Sequence, residues 1–108
     1  MIKATFYKNS DDVLLGFSIK GHADYAEYGK DIICSAVSIL SVNTINAIDC
    51  FTDNRYELEQ GESGFLDFRF LSVPDEKGHI LLRTLELGIK GVSKEYGTKF
   101  LQVHYKEV

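Results

Sequence analysis

Between Asp31 and about Phe51 the apolar residues recur every three or four positions, whereas on the N-terminal side they alternate. Ile33, Val37, Leu40, Thr44, Ala47, Ile48 and Phe51 fall on one face of a helix. Upstream, Ile2, Ala4 and Phe6 alternate with Lys3, Thr5 and Tyr7, and Leu15, Phe17 and Ile19 repeat the pattern beyond the turn-forming Asn9-Ser10-Asp11-Asp12. The two runs predict an antiparallel hairpin ending at Gly21. A helix and a sheet each offer an apolar face that must be covered, so the change of period points to helix packed on sheet.

The rest of the chain continues in the same way. Arg55 to Glu59 and Phe65 to Leu71 read as strands joined by the turn Gln60-Gly61-Glu62-Ser63-Gly64. Pro74, Asp75 and Glu76 open a second helix with the stripe Leu81, Leu85, Ile89, Val92 and Tyr96, which Gly97 ends. Gly78, Gly88 and Gly91 each weaken that helix by about 1 kcal/mol relative to Ala, so packing must hold it. Leu101, Val103 and Tyr105 mark a last strand. The order is ββαββαβ, an α+β chain with a mixed, mostly antiparallel sheet and two helices packed on one face. Residues 1–108 read as a single domain, without repeat or linker, long enough to bury a core.

Formal net charge is -4, from 12 basic and 16 acidic residues, which argues against a nucleic-acid binder and favours a basic peptide or protein partner. Glu57, Glu59, Glu62 and Asp67 are candidates to attract such a partner, or simply a solvated strand face. No stretch approaches the apolar run needed to span a bilayer, and MIKATFYKNSDD lacks a signal-peptide pattern. The expected compartment is the cytoplasm, where cysteines stay reduced. On a continuous helix Cys34 and Cys50 lie about 24 Å apart along the axis, too far for a disulfide. Cys50 reads as core filler. Three scattered histidines and two separated cysteines give no zinc spacing, so no metal or cofactor is expected. His79 and His104 read as surface or edge residues.

The chemistry concentrates between the hairpin and the first helix, in Gly21-His22-Ala23-Asp24-Tyr25-Ala26-Glu27-Tyr28-Gly29-Lys30-Asp31-Ile32-Ile33-Cys34. A helix N-terminus lowers a thiol's pKa, and an imidazole can take its proton. Lys30 adds positive field. Cys34 shares a small polar stripe with Ser38 and Ser41 rather than the aliphatic positions where a structural cysteine sits. Asp31 is placed to cap the helix or to orient His22. From the residues alone two readings stay open: a Cys-His dyad, or a packed cysteine beside a hydrogen-bonded loop histidine.

The run Gly21-His22-Ala23, then Gly29, then Asp31-Ile32-Ile33-Cys34 and Ala36-Val37-Ser38 resembles the ribosomal-processing cysteine protease family, Prp. Chain length and the ββαββαβ order fit the same family. Ser35 departs from the Ala or Gly expected there, which bears on substrate preference. The resemblance implies a cysteine endopeptidase that removes the N-terminal extension of a large-subunit ribosomal protein, the twenty-seventh, with Cys34 as nucleophile and His22 as proton-transferring partner. It also implies a homodimer and a mobile loop between those residues that closes over the peptide. Around the dyad, Gly21 and Gly29 are candidate hinges, Tyr25 and Tyr28 candidate substrate contacts, and Ser38 a candidate pocket residue; each has an ordinary structural role as its alternative. A non-catalytic ribosome-associated binding module and a thiol redox sensor remain the competing functions.

Overall fold

The computed structural model describes residues 1–21 and 30–108, and for Lys30, Asp31 and Ser63 the backbone alone. Its elements are β1 (Ile2–Lys8), β2 (Leu14–Gly21), α1 (Lys30–Phe51), β3 (Tyr56–Gln60), a single 3-10 turn (Glu62–Gly64), β4 (Leu66–Phe70), α2 (Glu76–Tyr96) and β5 (Leu101–Glu107). The ββαββαβ order is therefore as the periodicity predicts. The sheet runs β3-β4-β2-β1-β5. Its pairs are antiparallel except β1 with β5, which is parallel. The α2 crossover helps supply that parallel pair, since parallel neighbours cannot be joined by a tight turn.

Alternation along the strands builds the core. Ile2, Ala4 and Phe6 of β1, Phe17 and Ile19 of β2, and Leu66, Phe68 and Phe70 of β4 are buried in one cluster with Ile33, Val37, Ile45 and Ile48 of α1 and Leu82, Leu85 and Ile89 of α2. Phe17 stacks on Phe68 at 5.6 Å between ring centroids, and Phe70 meets Phe68 edge-on at 5.1 Å. The two helices lie close enough that a Cβ on Gly88 would stand 3.1 Å from Leu40 Cδ1. Tertiary contact thus explains this helix-interior glycine, whose intrinsic preference is poor. Asp75 caps α2 by accepting from the Gly78 amide at 2.8 Å, and Asn54 Nδ2 donates to the same carboxylate at 2.7 Å. Gly97 closes α2, its amide donating to Ser93 O at 2.8 Å.

Several expectations change. An irregularity between Tyr7 and Lys8 shifts the β1–β2 register and brings Leu14, not Leu15, into the core. Strand β3 starts at Tyr56, one residue late. The buried face of α2 centres on Leu82 because Gly78, Glu86 and Ser93, none of them apolar in composition, share that face. Phe51, the last residue of α1, is 70% exposed. Cys50 is exposed rather than core filler, because eighteen residues make five full turns and align it with exposed Ile32. Finally, α1 does reach the length and composition of a membrane span over Ile32–Phe51, contrary to expectation. Of its apolar residues, Ile33, Val37, Ile45 and Ile48 are packed in the core, while Ile32, Ile39, Val42 and Phe51 are exposed.

Candidate active site

Helix α1 runs from Lys30, so Asp31 stands inside the first turn rather than at the cap, and Cys34 is one turn further in. Helical Cβ atoms tilt toward the N-terminus, so this side chain leans back over the helix start. The thiol is free and half-buried. It lines a cavity of about 240 Å³ with Ile2, Ile19, Gly21, Val37, Ser38 and Gly64. Three buried aliphatic side chains form one side, while Ser38, one turn after Cys34, and the two glycines form the remainder. The sulfur is therefore accessible beside a dry wall. That is a place where a nucleophile can meet an apolar side chain and a polypeptide backbone together.

Gly21 closes β2 at the cavity rim. Its φ is +88°, and a Cβ there would fall 2.2 Å from the Met1 carbonyl oxygen. Only glycine accepts both that dihedral and that approach. The next residue in the chain is His22. His22 itself, with Tyr25, Tyr28 and Gly29, lies outside the described residues, as does the Asp31 side chain.

The polar stripe divides. Cys34 and Ser38 share the cavity, but Ser41 is 1% exposed and its Oγ finds no hydrogen-bond partner among the described residues. Glu57, Glu59 and Asp67 belong to another cavity, of about 380 Å³, on the sheet face that alternation turns away from the helices. Asp67 there accepts from Tyr7 at 3.1 Å and pairs with Arg69 at 3.2 Å, which stacks over the Tyr7 ring at 4.2 Å. His104 is exposed and meets Gln102 at 3.2 Å; His79 is half-buried on α2. Neither joins Cys34. Among the described residues no group of three His, Cys, Asp or Glu side chains could hold a metal.

Sequence periodicity missed Gly64, which reaches the cavity because the turn Glu62–Gly64 brings the β3–β4 connection to the end of β2. Its only signal was the glycine pair in that turn. Ile2 and Ile19 were legible as core, not as the wall of a site.

Comparison with known proteins decides the family. The sequence profile described as Cysteine protease Prp matches residues 1–100. The chain belongs to the Prp family. The Ribosomal processing cysteine protease Prp of Bacillus subtilis (strain 168) is 28% identical over 101 residues, covering 89% of this chain and 90% of that protein. Its Staphylococcus aureus (strain Mu50) counterpart is 25% identical over 107 residues, covering 98% and 100%. Among solved structures, S. aureus Prp with a covalently linked product peptide superposes with a TM-score of 0.90 at 25% identity, covering 98% of this chain and all of that one. A Streptococcus mutans protein superposes at 0.86 with 30% identity, covering 100% and 99%. Like other Prp proteins, this chain is a cysteine protease, a hydrolase of peptide bonds. Membership favours the protease over the binding module and the redox sensor.

Proposed function

We propose that this Prp protein is a cytoplasmic endopeptidase that removes the N-terminal extension of a large-subunit ribosomal protein, the twenty-seventh, using Cys34 and His22. One observation carries the reading: the free thiol of Cys34 lines the same cavity as Gly21, the residue bonded to His22. The Bacillus and Staphylococcus relatives are ribosomal processing proteases, and the Staphylococcus structure carries a covalently linked product peptide, which supports the substrate class.

In this mechanism His22 takes the Cys34 proton, and the thiolate adds to the scissile carbonyl carbon. The tetrahedral oxyanion collapses to a thioester as the C–N bond breaks, and His22 returns the proton to the departing amine. Water, deprotonated by His22, then hydrolyses the thioester and frees Cys34. Amides at the helix start are the expected oxyanion donors. Asp31 orients His22 or neutralises the helix start, and Tyr25 and Tyr28 contact the peptide. Ser38 lines the floor beside the thiol.

A homodimer belongs to the same proposal. Ile32, Ile39 and Val42 stand exposed on the side of α1 opposite its buried residues, an apolar surface that a second copy would cover. Sedimentation should show a dimer that Ile39→Lys converts to monomer. A monomeric parent chain would refute this part.

The decisive test is incubation with a peptide spanning the extension junction, with the products weighed by mass spectrometry. One internal cut is expected, absent in Cys34→Ala and in His22→Ala while both variants stay folded. Turnover by Cys34→Ala would end the assignment.

A further inference from the structure

The far end of β1 carries a third cavity, of about 420 Å³, within the range of small-molecule sites. Ile2 lines the Cys34 cavity and Lys8 lines this one, so about 20 Å of extended strand separates them. The walls come from different elements. Lys8 ends β1, His79, Arg83, Glu86 and Lys90 lie along α2, and Tyr105 is on β5. The ammonium groups of Lys8 and Lys90 stand 5.7 and 5.4 Å from the centroid of the same Tyr105 ring. In a chain of formal net charge -4, this concentrates cations against the general trend.

Glu86 offsets part of that charge, and the three cations outnumber the two carboxylates, Glu86 and Asp12, by one. Glu86 is 5% exposed and fully engaged: Arg83 reaches Oε1 at 3.0 Å, while Oε2 accepts from the Tyr105 hydroxyl and lies 3.8 Å from Lys90. The buried carboxylate holds the donors in place instead of presenting acceptors. The other carboxylate, Asp12, lies on the rim with an 80% exposed side chain and pairs with Lys8 at 3.1 Å. In addition, the buried Nε2 of His79 has no hydrogen-bond partner among the described residues.

We infer that this cavity binds a small phosphorylated molecule, its phosphate group held by Lys8, Arg83 and Lys90. Compact tetrahedral oxyanions match converging ammonium and guanidinium donors. The site is separate from peptide cleavage and stands whether or not the substrate proposed above is correct.

The test is a titration of the full chain with inorganic phosphate and then glycerol phosphate, followed by amide NMR shifts, with sodium chloride at matched ionic strength as control. Saturable shifts at residues 8, 79, 83, 90 and 105 are expected with both phosphates and not with chloride. Lys8→Met and Lys90→Met each remove one charge-assisted contact from a half-exposed side chain and should weaken binding about tenfold. Circular dichroism confirms that each variant is folded. A cluster that merely fastens α2 to β5 predicts chloride-like shifts, or unchanged affinity in the lysine variants, and either result overturns the site.

Discussion

The two ends of β1 are built from opposite materials. At Ile2 the surroundings are aliphatic side chains, two glycines, one serine and one thiol; at Lys8 they are lysines, an arginine, carboxylates and a phenol. Backbone approach and apolar contact shape the first end. The second end is fastened by charges that converge on one buried carboxylate. The contrast teaches where each end is vulnerable. Steric and backbone changes should damage the Cys34 end, and charge changes the Lys8 end, with little crossover between sites so far apart.

The largest effect expected is at the thiol. Cys34→Ala should lower kcat/KM for the extension-junction peptide by about a thousandfold or more, the scale on which covalent nucleophiles act. Its thermal unfolding should remain near that of the parent, because a half-buried sulfur contributes little packing. Gly21→Ala comes next. It places a methyl against the Met1 carbonyl at positive φ, which should cost about 2 kcal/mol and lower Tm by roughly 10 °C. Cleavage should fall with it, since the rim beside His22 moves. A Gly21→Ala protein with parental Tm and rate would show that this end is not sterically fixed.

Much of this architecture could be read from the sequence because periodicity and burial coincide. Ile2, Ala4, Phe6, Phe17, Ile33 and Val37 are core where their spacing says they should be. Periodicity failed where the buried residue is not apolar. Glu86 and Ser93 are buried because each has a fixed partner, Tyr105 and the Leu101 carbonyl oxygen, and neither partner is visible from local spacing. It failed again at Cys50, where an apolar-looking residue faces outward. For the site, residue types identified Cys34 and Ser38, and the fold brought them together. Gly64 was not legible, since its place depends on how the β3–β4 connection meets the end of β2.

At the charged end, Glu86→Ala should destabilise the fold by about 2 kcal/mol, because the Tyr105 hydroxyl, Arg83 and Lys90 lose their common acceptor. The cost stays low because the two cations are about half exposed and solvent screens them. Peptide cleavage should stay within about twofold of the parent, as distant sites couple weakly. Loss of cleavage in a folded Glu86→Ala protein would break the division between the two ends.

The smallest effect is also the most specific. Burial first, and then the hydrogen bond to Glu86, hold the Tyr105 phenol above its ordinary value of 10.0, although Lys90 opposes the shift. A raised value means that folding favours the neutral phenol. Its contribution is therefore complete below pH 10 and is lost as pH rises through the folded value. Tyr56 is raised in the same sense, chiefly by its hydrogen bond to Asp49, so the parent chain should lose stability at alkaline pH through both groups. Tyr105→Phe isolates one of them. At pH 8 it should be less stable than the parent by about 1 kcal/mol, the worth of one hydrogen bond. In thermal melts from pH 8 to 11 that gap should narrow, because the parent alone has a Tyr105 proton to lose and because Lys90, held above its ordinary value chiefly by its hydrogen bond to Tyr105, loses that support in the variant. A gap constant across the range would mean that neither burial nor Glu86 holds the phenol above its ordinary value, and the charged end would lose one of the contacts that, with Ser93 Oγ to Leu101 O, tie β5 to α2.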